Sequence, residues 1–276
     1  MLSSSFRAPI AALFVPGDRP ERFAKAAASG ADAVVLDLED GVAPEAREAA
    51  RRSVIRHGIQ SVPVIIRINA AASEAFEGDL IALRAARFDG LMLAKAETAA
   101  DIQRVHDLLG RQVPVIALVE TASAFIDLAS LLQAPGVVQA ALGALDLALD
   151  LGCQPSWEAL AYCRGALVLQ SRLAGLPPPL DGIATRFDDP KAVRHEALLA
   201  AGLGFGGKLA IHPRQVLPIK QAFVPDAQAI AWARAALKAG DSGAAVQLDG
   251  EMIDRPLIER ARRILARASN TGGCAV

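Results

Sequence analysis

The sequence predicts an α/β fold, a (β/α)8 barrel with a C-terminal helical extension, and three observations carry that prediction. Eight short runs rich in Val, Ile, Leu and Ala alternate with segments of helical spacing over roughly 210 residues, the number and order of units that close such a barrel. Hydrophobic residues make up 53% of the chain but aromatic ones only 4%. The core must therefore be filled by small and branched aliphatic side chains, as parallel α/β cores are. A doubly wound open sheet is the competing arrangement, and no G-x-G-x-x-G follows the first strand to favour it.

The first strand is read over residues 12–16, with Asp18 opening a helix that has Pro20 in its first turn. The apolar stretch from Ala8 to Val15 has one basic residue before it and runs at once into P-G-D-R, so it reads as this strand rather than as a signal segment. Residues 33–39, A-V-V-L-D-L-E, form the second strand, followed by a charged helix over 45–57 introduced by Pro44. The third strand, 62–69, admits Pro63 at its start, and a helix around 79–87 follows it. Strand four is 90–95, with its helix over 99–109. Residues 113–119 and 137–143 are too short for helices and read as buried parallel strands joined by the helical segment 123–132. A long helix over 157–174 stops at Pro177, Pro178 and Pro179. A strand at 180–184, a helix at 190–201, a strand at 207–212 and a short helix at 216–223 complete the barrel. The barrel domain thus spans 1–224. Residues 225–276 form a helical extension or lid that packs on a neighbouring subunit, with helices at 226–239 and about 256–268, a loose D-S-G-A-A segment between them and a disordered tail from Ser269.

The charge balance of −1 comes from 29 basic and 30 acidic residues, well mixed along the chain. That excludes a basic nucleic-acid face and a polybasic membrane patch, and no apolar run approaches the ~20 residues of a membrane helix. Cys153, Cys163 and Cys274 are odd in number and lack C-x-x-C spacing, which reads as free thiols in a reducing cytoplasm. Small-molecule chemistry is the expectation.

In a (β/α)8 barrel, functional side chains sit where strands end. Those positions hold Asp37, Glu39, Asp40, Arg67, Asn69, Lys95, Glu120, Asp146, Asp181 and His212. Glu120 and Asp146 close the two central strands and offer hard oxygen ligands to a divalent cation such as Mg2+. The plain alternative is a Glu120 that caps the next helix and a solvated Asp146. Asp37 and Glu39 lie two apart and share one face of their strand, with Arg67 on the adjacent strand as partner; a purely structural ion network is the alternative. Arg67 can hold a carboxylate bidentately and stabilise an enolate oxygen. A cation on Glu120 and Asp146 beside it suits chelation of a 2-oxo acid and Lewis-acid assistance to C–C bond making or breaking. His212 reads as a structural histidine more readily than as a base. Asp254, in M-I-D-R-P, reads as an N-cap of the last helix whose carboxylate a C-terminal segment could present to a site.

The motifs L-F-V-P-G-D-R-P-E-R-F, V-L-D-L-E-D-G-V, R-I-N, M-L-A-K-A-E, V-E-T-A, G-A-L-D-L, G-F-G-G-K-L-A-I-H-P-R-Q and D-G-E-M-I-D-R-P occur in this order along nearly the whole chain. In them the chain resembles the citrate lyase beta-subunit-like proteins of the HpcH/HpaI aldolase group. The resemblance implies a TIM barrel with Mg2+ on Glu120 and Asp146, and with Arg67 and the backbone amides of Gly143 and Ala144 on the 2-oxo acid. Asp37, Glu39, Asp40 and Lys95 support that site. It also implies a homotrimer, or a hexamer made of two trimers, in which Asp254 reaches a neighbouring active site as general acid/base. The implied reaction is reversible cleavage of a β-hydroxyacyl-CoA, of the citryl-, citramalyl- or malyl-CoA type, to acetyl-CoA and a 2-oxo acid. An aldolase of free 4-hydroxy-2-oxo acids, a malyl-CoA-type thioesterase and a non-catalytic barrel subunit are the alternatives; the joint presence of Arg67, Glu120, Asp146 and Asp254 argues against the last. Four places depart from the usual pattern: Ala94 replaces a proline, Ser123 and Ala124 replace Arg-Gly, Leu145 replaces an acid, and Ile10-Ala11-Ala12 replaces an Arg-Ser before the first strand. These leave the metal core intact and bear on acyl-group choice and CoA contacts.

Overall fold

The computed structural model describes residues 6–240, 246–248 and 251–271. In chain order the elements are β1 (Ala11–Pro16), α1 (Phe23–Ala27), β2 (Ala33–Asp37), α2 (Arg47–Ile55), β3 (Val64–Ile68), α3 (Phe76–Leu83), β4 (Gly90–Leu93) and α4 (Ala99–Leu109). They continue with β5 (Val115–Val119), α5 (Leu128–Gln133), β6 (Val137–Leu142), α6 (Ala144–Leu151), α7 (Ala161–Leu173), β7 (Leu180–Asp181), α8 (Pro190–Leu203), β8 (Gly207–Ala210) and α9 (Val216–Phe223). After these come α10 (Ala227–Gly240), β9 (Val246–Leu248), β10 (Glu251–Ile253) and α11 (Arg255–Thr271). Strands β1 to β8 pair in sequence order and close into a barrel, every neighbouring pair parallel. The chain is a (β/α)8 TIM barrel followed by a second compact unit that begins at Gln221.

Side chains alternate across a strand, and the inward set is aliphatic. Ala12, Ala33, Val35, Ile65, Met92, Ile116, Leu118, Ala141, Leu180 and Leu209 form one buried cluster filling the barrel. One further inward step toward the C-terminal ends brings Asp37 on β2, Arg67 on β3, Glu120 after β5 and Gly143 after β6. The apolar plug thus forms a floor beneath a polar rim.

Several expected boundaries shift. Helix α4 spans the expected residues because Thr98 and Asp101 form a capping box at its start and Gly110 turns left-handed (φ 74°) at its end. The expected single helix over 123–132 is instead a short 3-10 turn and α5, separated by Asp127, whose carboxylate caps Ser130 N–H. The seventh strand shrinks to two residues. Helix α6 was not anticipated: G-A-L-D-L-A-L-D-L-G looks like strand continuation, but it winds into a helix that ends at left-handed Gly152. In the second unit, β9 and β10 form an unanticipated antiparallel pair. Helix α11 runs to Thr271 rather than ending at 268. The D-S-G-A-A segment and residues 272–276, with Cys274, lie outside the described residues. Helices α10 and α11 pack through Ala233, Ala236 and Ala261, flanked by Trp232 and Leu257. Among the described residues, no helix is long and apolar enough to cross a membrane.

Asp181 turns away from the barrel interior. Leu180 takes the inward position, so Asp181 faces the helices, where Lys208 Nζ (2.7 Å) and Arg164 Nε (3.0 Å) bind its two oxygens. All three are buried. The expected strand-end position is therefore occupied by a clamp between sheet and α7. Asp181→Ala leaves two buried cations without their shared partner and should destabilise the fold by about 3–5 kcal/mol. Urea unfolding followed by circular dichroism checks this, and a midpoint equal to that of the wild type rules out the clamp.

Candidate active site at the barrel mouth

Asp37 and Arg67 face each other in the β2–β3 ladder, so the register itself builds the first ion pair. Arg67 Nε and Nη2 donate to the two Asp37 oxygens, each at 2.7 Å, and Nη1 lies 2.9 Å from Glu39 Oε2. The Phe14 ring sits under the guanidinium at 4.7 Å. Asp37 also accepts the N–H groups of Glu39 (3.0 Å) and Gly41 (2.8 Å), folding the turn after β2 onto the same carboxylate. Glu39 accepts from Lys95 Nζ at 2.7 Å. Burial alone would lower the Arg67 pKa, but Asp37, Glu39 and Glu120 outweigh it and hold the group charged. Lys95 behaves likewise, with Glu39 and Glu120 outweighing burial.

Glu120 is 1% exposed. Its Oε1 accepts the backbone N–H of Lys95 at 2.8 Å. Burial, reinforced by the negative charges of Glu39 and Asp146, pushes its pKa up to about 8 against the opposing pull of Lys95. The reason is visible in the count: three buried carboxylates, Asp37, Glu39 and Glu120, share two cations, Arg67 and Lys95.

Gly143 makes room for this carboxylate, since any side chain there would overlap Glu120 Oε2 and Cβ. The Gly143 N–H donates to Val119 C=O (2.9 Å), so that amide is committed to the ladder, whereas the amide role implied for Gly143 requires it at the cavity. The contribution of Gly143 here is space. Ala144 opens α6, whose first-turn N–H groups have no carbonyl partner within the helix. Asp146 sits in that first turn, where the helix dipole favours a negative charge. Asp150, one turn on, accepts Ala122 N–H at 2.7 Å and ties the β5–α5 turn to α6.

A cavity of about 380 Å³ joins these groups, lined by Asp37, Asp40, Arg67, Glu120, Gly143, Ala144 and Asp146 together with Phe14, Arg22, Leu145 and Ile183. Among the described residues, no three His, Cys, Asp or Glu side chains form a ready-made metal cage. Two carboxylates are nevertheless what Mg2+ takes from a protein when waters and substrate oxygens complete its octahedron, and the uncompensated charge of Glu120 fits such an ion.

The other strand-end residues have separate duties. Asn69 Nδ2 donates to Leu38 C=O and Asp79. His212 Nδ1 accepts Arg214 N–H (3.1 Å) while its ring stacks on Phe187, a capping role. Asp254 is exposed at the head of α11 and accepts Leu257 N–H at 3.2 Å; it belongs to the second unit. Sequence reasoning missed Phe14 and Arg22. The alternation Ala12, Phe14 along β1 was the signal for the first.

Fold and site together define a parallel barrel with a carboxylate–arginine pocket at its C-terminal mouth. Residues 11–213 match the HpcH/HpaI aldolase/citrate lyase family, and the chain belongs to that family. It is 38% identical over 264 residues to the citrate lyase subunit beta-like protein of Mycobacterium tuberculosis, covering 93% of this chain and 94% of that one. It is 30% identical to a (3S)-malyl-CoA thioesterase of Cereibacter sphaeroides, over 93% of each. Among solved structures, protein CitE from Mycobacterium tuberculosis in complex with magnesium, acetoacetate and coenzyme A superposes with a TM-score of 0.86 at 36% identity, over 95% of this chain and 98% of that one.

Between its ordinary value of 4.5 and about 8, Glu120 holds a proton in the folded chain that it loses when unfolded. Its contribution to metal-free stability is therefore full below 4.5, falls as pH rises through this window, and is lost above about 8. Glu120→Gln is neutral throughout and should flatten that slope. Melting temperatures of both proteins in EDTA, from about pH 5 to about pH 9, check this; parallel curves would exclude a buried, titrating Glu120.

Proposed function

We propose that the protein is a Mg2+-dependent carbon–carbon lyase that reversibly cleaves a β-hydroxyacyl-CoA of the citryl-, citramalyl- or malyl-CoA type into acetyl-CoA and a 2-oxo acid. The observation that carries the reading is one cavity in which a pinned, charged Arg67 meets a buried carboxylate, Glu120, whose charge its neighbours do not balance. Glu120 and Asp146 are the residues that would hold Mg2+, which when bound supplies a counter-charge and Lewis-acid polarisation of a carbonyl.

Arg67 has five N–H donors. Nε and one N–H of Nη2 go to Asp37, and Nη1 faces Glu39, which leaves a donor on each terminal nitrogen for the substrate carboxylate. Ala144 N–H, at the head of α6, adds a further donor. Asp37, Glu39, Asp40 and Lys95 hold the charged rim in place. In cleavage, Asp254 takes the proton of the 3-hydroxyl as the C–C bond breaks, and the acetyl-CoA enolate is then protonated at carbon. In synthesis the same carboxylate removes the α-proton of the acyl thioester. Its resemblance to the family's M-I-D-R-P acid and its exposure support this assignment, with Asp254 delivered by the extension of a neighbouring subunit in a homotrimer or hexamer. The mixed surface charge supports neither nucleic acid nor membrane as partner, and we assign the protein to the cytoplasm.

The magnesium, acetoacetate and coenzyme A held by the mycobacterial structure support the lyase. The thioesterase relative favours a second reading, in which water attacks the thioester and the hydroxy acid leaves intact. Citryl-, citramalyl- and malyl-CoA are to be incubated with Mg2+ and with EDTA while both products are followed. A lyase releases a 2-oxo acid and acetyl-CoA only with Mg2+; release of free CoA with the intact hydroxy acid selects the thioesterase. Glu120→Ala should lower kcat/KM by on the order of a hundredfold or more while the protein stays folded. A variant of undiminished rate would sink the metal assignment.

A further inference from the structure

Lys95, just past β4, is the one non-glycine among the described residues with a positive φ, 46°. A left-handed backbone crowds Cβ against the following carbonyl, and such strain persists only where the surroundings over-determine it. Three contacts do so here. Ala94 N–H donates to Ile68 C=O on the β3 side (3.2 Å), and Ala96 N–H donates to Leu118 C=O on the β5 side (3.1 Å). In a regular strand, residues two apart donate to the same neighbour; the left-handed turn at Lys95 reverses that. The N–H between them is swung toward Glu120 Oε1, 2.8 Å away. The third contact is the side chain itself, anchored by Nζ on Glu39 Oε1 at 2.7 Å.

We propose that Lys95 is the positioning residue of this site: its Nζ, tied to Glu39, holds a strained left-handed backbone whose N–H fixes the Glu120 carboxylate. The proposal rests on the reading of Glu120 as a metal ligand. One residue would then couple the ion network on β2 and β3 to the ligand on β5, with its side chain as the tether and its amide as the pointer. A hydrogen-bonded carboxylate held in one orientation binds a metal more tightly than one that wanders.

Charge and positioning give opposite signs. Removing a cation near Glu120 should tighten binding of a divalent cation, whereas loss of the tether should weaken it. Lys95→Met keeps the stem and removes Nζ, Lys95→Gly accepts a left-handed backbone without strain, and Lys95→Arg keeps the cation. Calorimetric titration with Mg2+ alone, on the full chain, should show affinity about tenfold weaker for Met and Gly, with most of it retained in Arg. Hydrogen exchange at the residue-95 amide should quicken about tenfold in Met and Gly, while the melting temperature of Gly equals or exceeds that of Met. Unchanged or tighter Mg2+ binding in the Met and Gly variants overturns the proposal. If the wild type itself binds no Mg2+, the metal reading falls, and exchange decides the positioning: a residue-95 amide as protected in Met as in the wild type overturns it.

Discussion

A shortage of positive charge at the barrel mouth is the constraint from which the rest of the site follows. Buried carboxylates are tolerated only when paired or hydrogen-bonded. Asp37 takes Arg67 by register, and Glu39 takes Nη1 of Arg67 and Nζ of Lys95. Glu120, 1% exposed, is left with the N–H of Lys95 as its hydrogen-bond donor. Its raised pKa is the physical expression of that shortage. A small dication satisfies it, and so does a proton.

The same barrel carries a second ion network, buried except for the half-exposed Glu196, that is closed. Between β7, β8, α7 and α8, Asp181 and Glu196 face Arg164 and Lys208, two acids against two bases. Nothing there calls for an outside charge, and the cluster lies on the far side of the strands from the cavity. Each network is anchored by two polar residues on strands otherwise filled with aliphatics, Asp37 and Arg67 in one, Asp181 and Lys208 in the other. The alternation of the strand, inward at Glu120 and outward at Asp181, separates a structural clamp from a site, and the charge count agrees with that separation.

How much of this was legible follows from how local each signal is. The pairing of Arg67 with Asp37 and Glu39 could be read because it needs only period-two spacing and adjacent strands. Helix α4 could be read to the residue because Thr98, Asp101 and Gly110 carry its ends. Helix α6 could not: its single polar faces, Asp146 and Asp150, interrupt an otherwise apolar run that satisfies strand and helix alike. Asp181 was placed at the mouth because the strand was read through to residue 184. With only two residues in β7, the parity of Leu180 decides which way its neighbour points. The left-handed turn at Lys95 left no trace in composition, since lysine is an ordinary residue and the strand pattern continues into it. It emerges only when the amides of Ala94 and Ala96 are seen to serve different neighbours.

The cavity is divided along the same line as the barrel. Its buried charged groups, Asp37, Arg67 and Glu120, come from β2, β3 and β5, whereas Leu142, Leu145, Ile183, Leu209 and Ile211 line it from the β6 to β8 side, with Asp146 the acid among them. The charged half is over-determined, since each side chain there has at least one fixed partner and a substitution propagates through Arg67 or Glu39. The apolar half is held by packing alone, and swaps of similar volume in packed aliphatic sites cost little. The polar wall therefore tolerates little change, and the apolar wall more. Leu145 lies on this boundary, one residue from Asp146 and open to the cavity. An apolar side chain there adds no further negative group to a mouth already short of cations, and it extends the apolar wall up to the acid that closes it.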